Sequence, residues 1–263
     1  MTNRSSLRFM LLILSATFAF LYIPISVLFA LSFNASGLPT AWTGFSTHWY
    51  GELIANSDII GAALNTLIVA IVSTLAATLL GTLLAIGVEI RRRKGRVLET
   101  VIFAPMIIPD IVLAIALLSF FSMLDFRMGL HTIIISHTVF NLAFVCAVVR
   151  ARLKSFDWSI VEASTDLGAT PPITLRRVIL PVLTPAVVAG ALLAFTLSID
   201  EFIIAYFTAG SGRDSITLPM QIFSMIRFGV TPEINALAVL VMTLSVVALA
   251  ISQRLNRGRL PGQ

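Results

Sequence analysis

The chain has 263 residues, 57% of them apolar and 12% charged, with a formal net charge of +5. A soluble domain carries about 45–50% apolar and about 25% charged residues, so a soluble globular enzyme is excluded. The single Cys146 lies in an apolar run, which leaves an internal disulfide and a cysteine-ligated metal site without support.

Six stretches approach or exceed the roughly 20 mostly apolar residues that a spanning helix requires. They cover 9–31, 61–88, 97–123, 130–149, 183–207 and 233–252, which predicts an all-α integral membrane protein with one transmembrane domain over 1–263. The first follows Arg4 and Arg8, so a cleaved signal peptide competes with an uncleaved anchor. Its apolar run exceeds the roughly 7–15 residues of a signal core and no small-x-small cleavage site follows, which favours the anchor. In the loop after it, Trp42, Trp49 and Tyr50 are rings of the kind enriched at membrane interfaces. Gly81 and Gly87 in the second span read as helix-packing positions.

The third span contains Pro105, Pro109 and Asp110, and the fifth contains Asp200 and Glu201. An acid at a helix centre costs about 2.5–3.5 kcal/mol on insertion scales, so such residues face a bundle interior or a wet cavity. The prolines leave the carbonyls of Val101 and Pro105 without their helical donors, and irregular backbone at that depth is tolerated only against protein or water. A pathway for a cation fits both features. Adjacent helical residues point about 100° apart, so at most one of Asp200 and Glu201 aims squarely into it. The alternative for that pair is structural, capping a helix break or pairing with a partner's arginine, and Asp110 also reads as a helix-start cap. His131 and His137, with no carboxylate spaced to join them, do not read as metal ligands.

Between the fourth and fifth spans, 150–182 is too long for a plain turn. Ser159 to Glu162 has capping-box spacing, Gly168 stands where a helix would end, and Thr170-Pro171 starts a second helix running toward Leu180-Pro181. Ile160, Ala163, Leu167 and Ile173 form an apolar ridge among charged residues, and a partner protein is its natural cover. Helices lying in the headgroup layer and a DNA-binding helix-turn-helix are the competing readings. In the loop 208–232, Met220 to Phe228 is apolar but too short to span and reads as an interfacial helix. Thr231-Pro232-Glu233 then supplies an N-cap, a proline at the first position and a first-turn acid for the last span.

Lys and Arg residues orient the chain, because cytoplasmic loops retain them. With the N-terminus inside, fifteen fall on the inner side and three, Arg127, Arg213 and Arg227, on the outer side. Both termini are therefore expected in the cytoplasm. The same rule accounts for the basic balance, so it gives no nucleic-acid inference.

Glu162-Ala163-Ser164, Gly168 after three residues, and Val178-Ile179-Leu180-Pro181 after nine more resemble the EAA loop of bacterial ABC-importer permeases. That pattern is E-A-A-x3-G-x9-I-x-L-P, with Ser164 and Val178 as the two departures. The runs Ala194 to Glu201, Leu218 to Met225 and Pro232 to Leu237 are similar to the spermidine/putrescine branch of that family. The resemblance implies a type I, MetI-like permease of the bacterial inner membrane that forms half of a translocation pathway. It implies a second homologous permease, a cytoplasmic ATPase dimer and a periplasmic solute-binding protein as partners, besides membrane lipid. Ile160, Glu162, Ala163, Ser164, Leu167 and Gly168 would dock the ATPase, while Asp110, Asp200 and Glu201 would line the substrate pathway. No G-x-x-x-x-G-K-[ST] phosphate loop occurs, so no cofactor is expected on this chain, and ATP and Mg belong to the partner ATPase. An ion-coupled secondary transporter using the acids as a relay, a permease for another solute and a purely structural scaffold are the alternatives.

Overall fold

The computed structural model describes residues 4–37, 41–90, 96–227, 229 and 231–243. The basic residues Arg91, Arg92, Arg93 and Lys94, the C-terminal Arg254, Arg257 and Arg259, and the end of the expected last span lie outside them. The described residues are helical apart from turns and an isolated antiparallel bridge between Asn34 and Phe45. Four helices are long and apolar enough to cross a membrane, and a sharply bent pair makes a fifth candidate. The chain divides into two compact units, Met1–Ile59 with Ile222–Gln263, and Ile60–Gln221.

In the first unit, α1 (Arg4–Leu31) is apolar on all sides, with Phe9, Leu12 and Phe20 exposed, the pattern of a membrane span. The turn after it is built around buried Asn34, whose side chain donates to the Ala41 carbonyl at 2.8 Å and accepts from the Thr43 amide at 3.0 Å. The Trp49 indole N–H donates to the Asn34 carbonyl at 2.8 Å, and the Tyr50 hydroxyl lies 2.8 Å from that of Ser32. Two of the three expected interfacial rings, both carried by α2 (His48–Ala55), thus hold this turn together. Asn56 accepts from the amides of Asp58 and Ile59 and so starts α3 (Ser57–Ile90). Near the other end of the chain, an apolar helix over Pro232–Thr243 begins where Thr231 and Pro232 predict, with the Thr231 carbonyl accepting from Ile234 and Asn235.

In the second unit the expected third span is two helices, α4 (Arg96–Ile107) and α5 (Asp110–Met123), bent by 114°. Pro109 lacks an amide proton and restrains Ile108, so the helix stops and restarts at Asp110. The fourth span is α6 (Leu130–Leu153). Two short helices follow, α7 (Ser159–Asp166) and α8 (Pro171–Thr174). Through a π-helical turn over Leu175–Ile179, α8 passes into α9 (Leu180–Asp200), so the helix after Gly168 runs on into the fifth span instead of ending near Pro181. That span breaks at Glu201, and α10 (Ile203–Thr208) follows as a separate piece. The short helix expected over 220–228 is α11 (Leu218–Arg227), within which the chain passes from this unit to the first.

Helix α6 packs along α9 and touches α4 and α10. A Cβ added to Gly81 of α3 would lie 2.9 Å from the Val145 Cβ, and one added to Gly190 of α9 would lie 3.4 Å from the Val145 Cγ1. Two glycines thus admit α6 on both sides, as small residues do between membrane helices. At Gly87 nothing lies within 4 Å of an added Cβ among the described residues, so within them only Gly81 of the expected pair packs against another helix.

Candidate functional site

The two broken spans meet. Helices α5 and α10, each following a break, pack together through Ala114 and Ile204 with Phe140 of α6. At the second break Glu201 is in extended backbone, φ −70° and ψ 118°, and its side chain turns back over the start of α10. Its Oε1 accepts from the Ile204 amide and its Oε2 from the Ala205 amide, each at 2.9 Å. Glu201 is buried, whereas Asp200 and Asp110 are exposed. Asp110 occupies the first position of α5 with no side-chain cap to the helix. The three acids therefore differ in kind: Glu201 is engaged by the fold and the two aspartates are open.

The Glu201 carboxylate ends a buried polar chain that joins three long helices. His137 Nε2 of α6 lies 3.3 Å from Oε2, and His137 Nδ1 lies 2.8 Å from the Ser198 hydroxyl of α9. Ser198 is in turn 3.1 Å from the Ser73 hydroxyl of α3. Thr132 of α6 also donates to the Thr208 carbonyl at 2.6 Å, tying α6 to the far end of α10. One turn along α6 from His137, buried Asn141 has no partner for either side-chain polar atom among the described residues. Sequence reasoning placed Glu201 but missed His137, Ser198 and Ser73. The spacing of His137 and Asn141 puts two polar residues on one face of an apolar span, and that was the available signal.

At the other end of α6, Arg150 is paired with Glu99 of α4 and holds Nε 3.6 Å from the Glu89 carboxylate of α3, with its guanidinium 5.8 Å from the Phe103 ring. Each partner alone would strain an apolar bundle, and Arg150 offsets one of the two carboxylate charges. Beside Glu89 lies a largely apolar cavity of about 760 Å³, lined by Ile86, Trp158, Val161, Leu175 and Ile179 among others.

The wall of that cavity is the segment with the EAA spacing. Its first helix does not use Ser159 as a cap: Ser159 is already helical and the carboxylate of Asp157 accepts its amide at 3.0 Å. Hydrogen bonds from Ser159, its side chain first and then its backbone, hold the Asp157 carboxyl below the usual range. The expected stop at Gly168 is present. The Gly168 amide donates to the Thr165 carbonyl and the Ala169 amide to that of Ser164, at 2.9 and 3.1 Å, with Gly168 at φ +82°. This paired closure requires a left-handed residue after the last turn, which glycine adopts without strain. Ser164 also bonds Thr174 across the turn, hydroxyl to hydroxyl at 2.9 Å. Leu167 is 88% exposed, and Ile160, Glu162 and Ala163 are exposed with it.

The family described as "Binding-protein-dependent transport system inner membrane component" matches residues 77–260. The chain belongs to this permease family. It is thus a transport permease subunit and a multi-pass component of the inner membrane. It is 41% identical over 250 residues to the "Spermidine/putrescine transport system permease protein PotC" of Escherichia coli strain K12, covering 95% of this chain and 94% of that protein. It is 42% identical over 247 residues to the "Putrescine transport system permease protein PotI" of the same organism, covering 91% and 86%. Among solved structures, a bacterial ABC transporter involved in the import of the acidic polysaccharide alginate aligns with a TM-score of 0.78 at 17% identity, over 97% of this chain and 98% of that one. The MetNI methionine ABC transporter in an inward-facing conformation aligns at 0.63 and 21% identity, over 77% and 96%. These likenesses give the permease the type I importer fold.

Proposed function

We propose that this permease forms half of the translocation pathway of an ATP-driven importer of polyamines, spermidine or putrescine, or a closely related cation. The observation that carries the reading is the exposed Asp200 carboxylate at the end of α9, beside a helix break and with its neighbour Glu201 turned inward. Asp110 stands in the same way at the start of the helix that packs on α10. An open carboxylate at bundle depth is costly unless water or a cation meets it, and a polyamine supplies ammonium groups for that purpose. Relatives that align over nearly the whole chain bear polyamine names, which supports this cargo. Glu201 contributes to the pathway by holding the break rather than by meeting the solute. Ile160, Glu162, Ala163, Ser164, Leu167 and Gly168 form the face that docks a cytoplasmic ATPase dimer, where ATP and Mg are used. A second homologous permease completes the pathway, a periplasmic solute-binding protein delivers the solute, and both termini are cytoplasmic.

The test is uptake of labelled spermidine or putrescine into vesicles, normalised to assembled complex. Asp200→Asn is expected to lower uptake by about tenfold or more, the size of one lost charge-assisted contact, and Asp110→Asn to lower it as well. Assembly is expected to survive, because neither side chain is buried. Wild-type uptake in both variants would remove these acids from the pathway. A wild-type complex that moved only neutral or anionic solutes would overturn the cargo class.

A further inference from the structure

His137 is fully buried in α6, and the transport reading above gives it no task. Its surroundings are specific. One ring nitrogen faces the Glu201 carboxylate at 3.3 Å, and the other is 2.8 Å from Ser198, the residue two before Asp200. One proton assignment gives the hydroxyl chain a consistent direction. With the ring proton on Nε2, which lies 3.3 Å from Oε2 in electrostatic contact but without the alignment of a hydrogen bond, Nδ1 accepts from the Ser198 hydroxyl and Ser198 Oγ accepts from Ser73. The ring therefore touches both sides of the break, Ser198 in the last turn before it and the Glu201 carboxylate that caps the helix after it. A buried carboxylate needs such company, since two backbone amides leave lone pairs unanswered in an apolar bundle.

We propose that His137 is a positioning residue for transport: it holds the Glu201 carboxylate over the start of α10 and so fixes the break at which Asp200 is presented. This rests on the reading of Asp200 as a pathway residue. Without the ring, Glu201 loses its lateral partner, the cap on Ile204 and Ala205 loosens, and the end of α9 is free to continue or to rotate. Asp200 then meets the solute from a different direction.

The two amide replacements separate the contacts of the ring. The side-chain nitrogen of Gln reaches the position of Nε2, toward Glu201, whereas that of Asn reaches only the position of Nδ1, toward Ser198. His137→Asn is expected to lower polyamine uptake per assembled complex by about tenfold, and His137→Gln to stay within about twofold of wild type. In an Asp200→Asn background, His137→Asn is expected to add no further loss, because both act on one contact. Hydrogen exchange of the full-length chain in its complex supplies a readout independent of uptake. Amides in the peptide containing Ile204 and Ala205 should exchange faster in His137→Asn and at the wild-type rate in His137→Gln. Equal losses in the Asn and Gln variants, or unchanged exchange in the Asn variant, would overturn the proposal in favour of plain core packing. Wild-type uptake by Asp200→Asn would overturn the reading of Asp200 and the positioning role together. A sensitive Asp200→Asn beside a wild-type His137→Asn would overturn the positioning role alone.

Discussion

At Gly168 one absent methyl group determines where the presented helix stops. Among the described residues an added Cβ would meet nothing within 4 Å, so they leave space for a side chain there. The backbone opposes one, because φ of +82° costs an ordinary L-residue roughly 1–2 kcal/mol, and Asn less than a β-branched residue. Gly168→Asn is therefore expected to keep ATPase association and Gly168→Val to lose it, with insertion unchanged in both, as read by co-purification. Equal association in the two would detach docking from the helix stop. Residues governed by such local rules were legible in the sequence: a glycine after a short amphipathic helix has few other uses. The difference between Asp200 and Glu201 was not legible, because adjacent carboxylates look alike until His137, 64 positions before Glu201, shows which one is enclosed.

Among the elements, α6 sets the tolerances of its unit. Val145 lies between Gly81 and Gly190, but the two approaches differ in closeness. A Cβ at Gly81 would fall 3.0 Å from the Leu142 carbonyl oxygen as well as 2.9 Å from Val145, while at Gly190 the contacts of 3.4 to 3.7 Å are ordinary. Gly81→Ala should destabilise the bundle by about 1–3 kcal/mol, the usual cost of overpacking, and Gly190→Ala by little. Thermal unfolding in detergent separates the two, and Val145→Ala should only partly rescue Gly81→Ala because a backbone atom also stands in the way. A similar response at both glycines would contradict the packing described. Gly87 shows the limit of sequence reading here: it lies in the same apolar helix as Gly81, and only the approach of α6 distinguishes them. The broken third span was half legible. Pro105 and Pro109 announce irregular backbone, but a 114° bend depends on what α5 packs against, namely α10 from the distant end of the unit.

Over the whole molecule, fifteen of the 18 basic residues belong to segments expected inside. The asymmetry predicts that cysteines at Ser164 and at Gly212 are labelled from opposite sides of the membrane, with Ser164 accessible only from the cytoplasm. Labelling of Ser164→Cys from the periplasm would invert the arrangement. Hydropathy made the order of the apolar segments legible because lipid imposes one length on all of them. It could not show where the fifth begins, since the helix starts outside the apolar run. That helix runs from Pro171 to Asp200, 30 residues that extend about 45 Å at 1.5 Å each. Its foot is tied to the presented helix by the Ser164 and Thr174 hydroxyls, and its tip carries the open acid. On a rod of that length a tilt of about 10° at the foot is a stroke of roughly 8 Å at the tip, several times the reach of one hydrogen bond. The chain thus has the proportions of a lever, with a π-helical turn near its fulcrum.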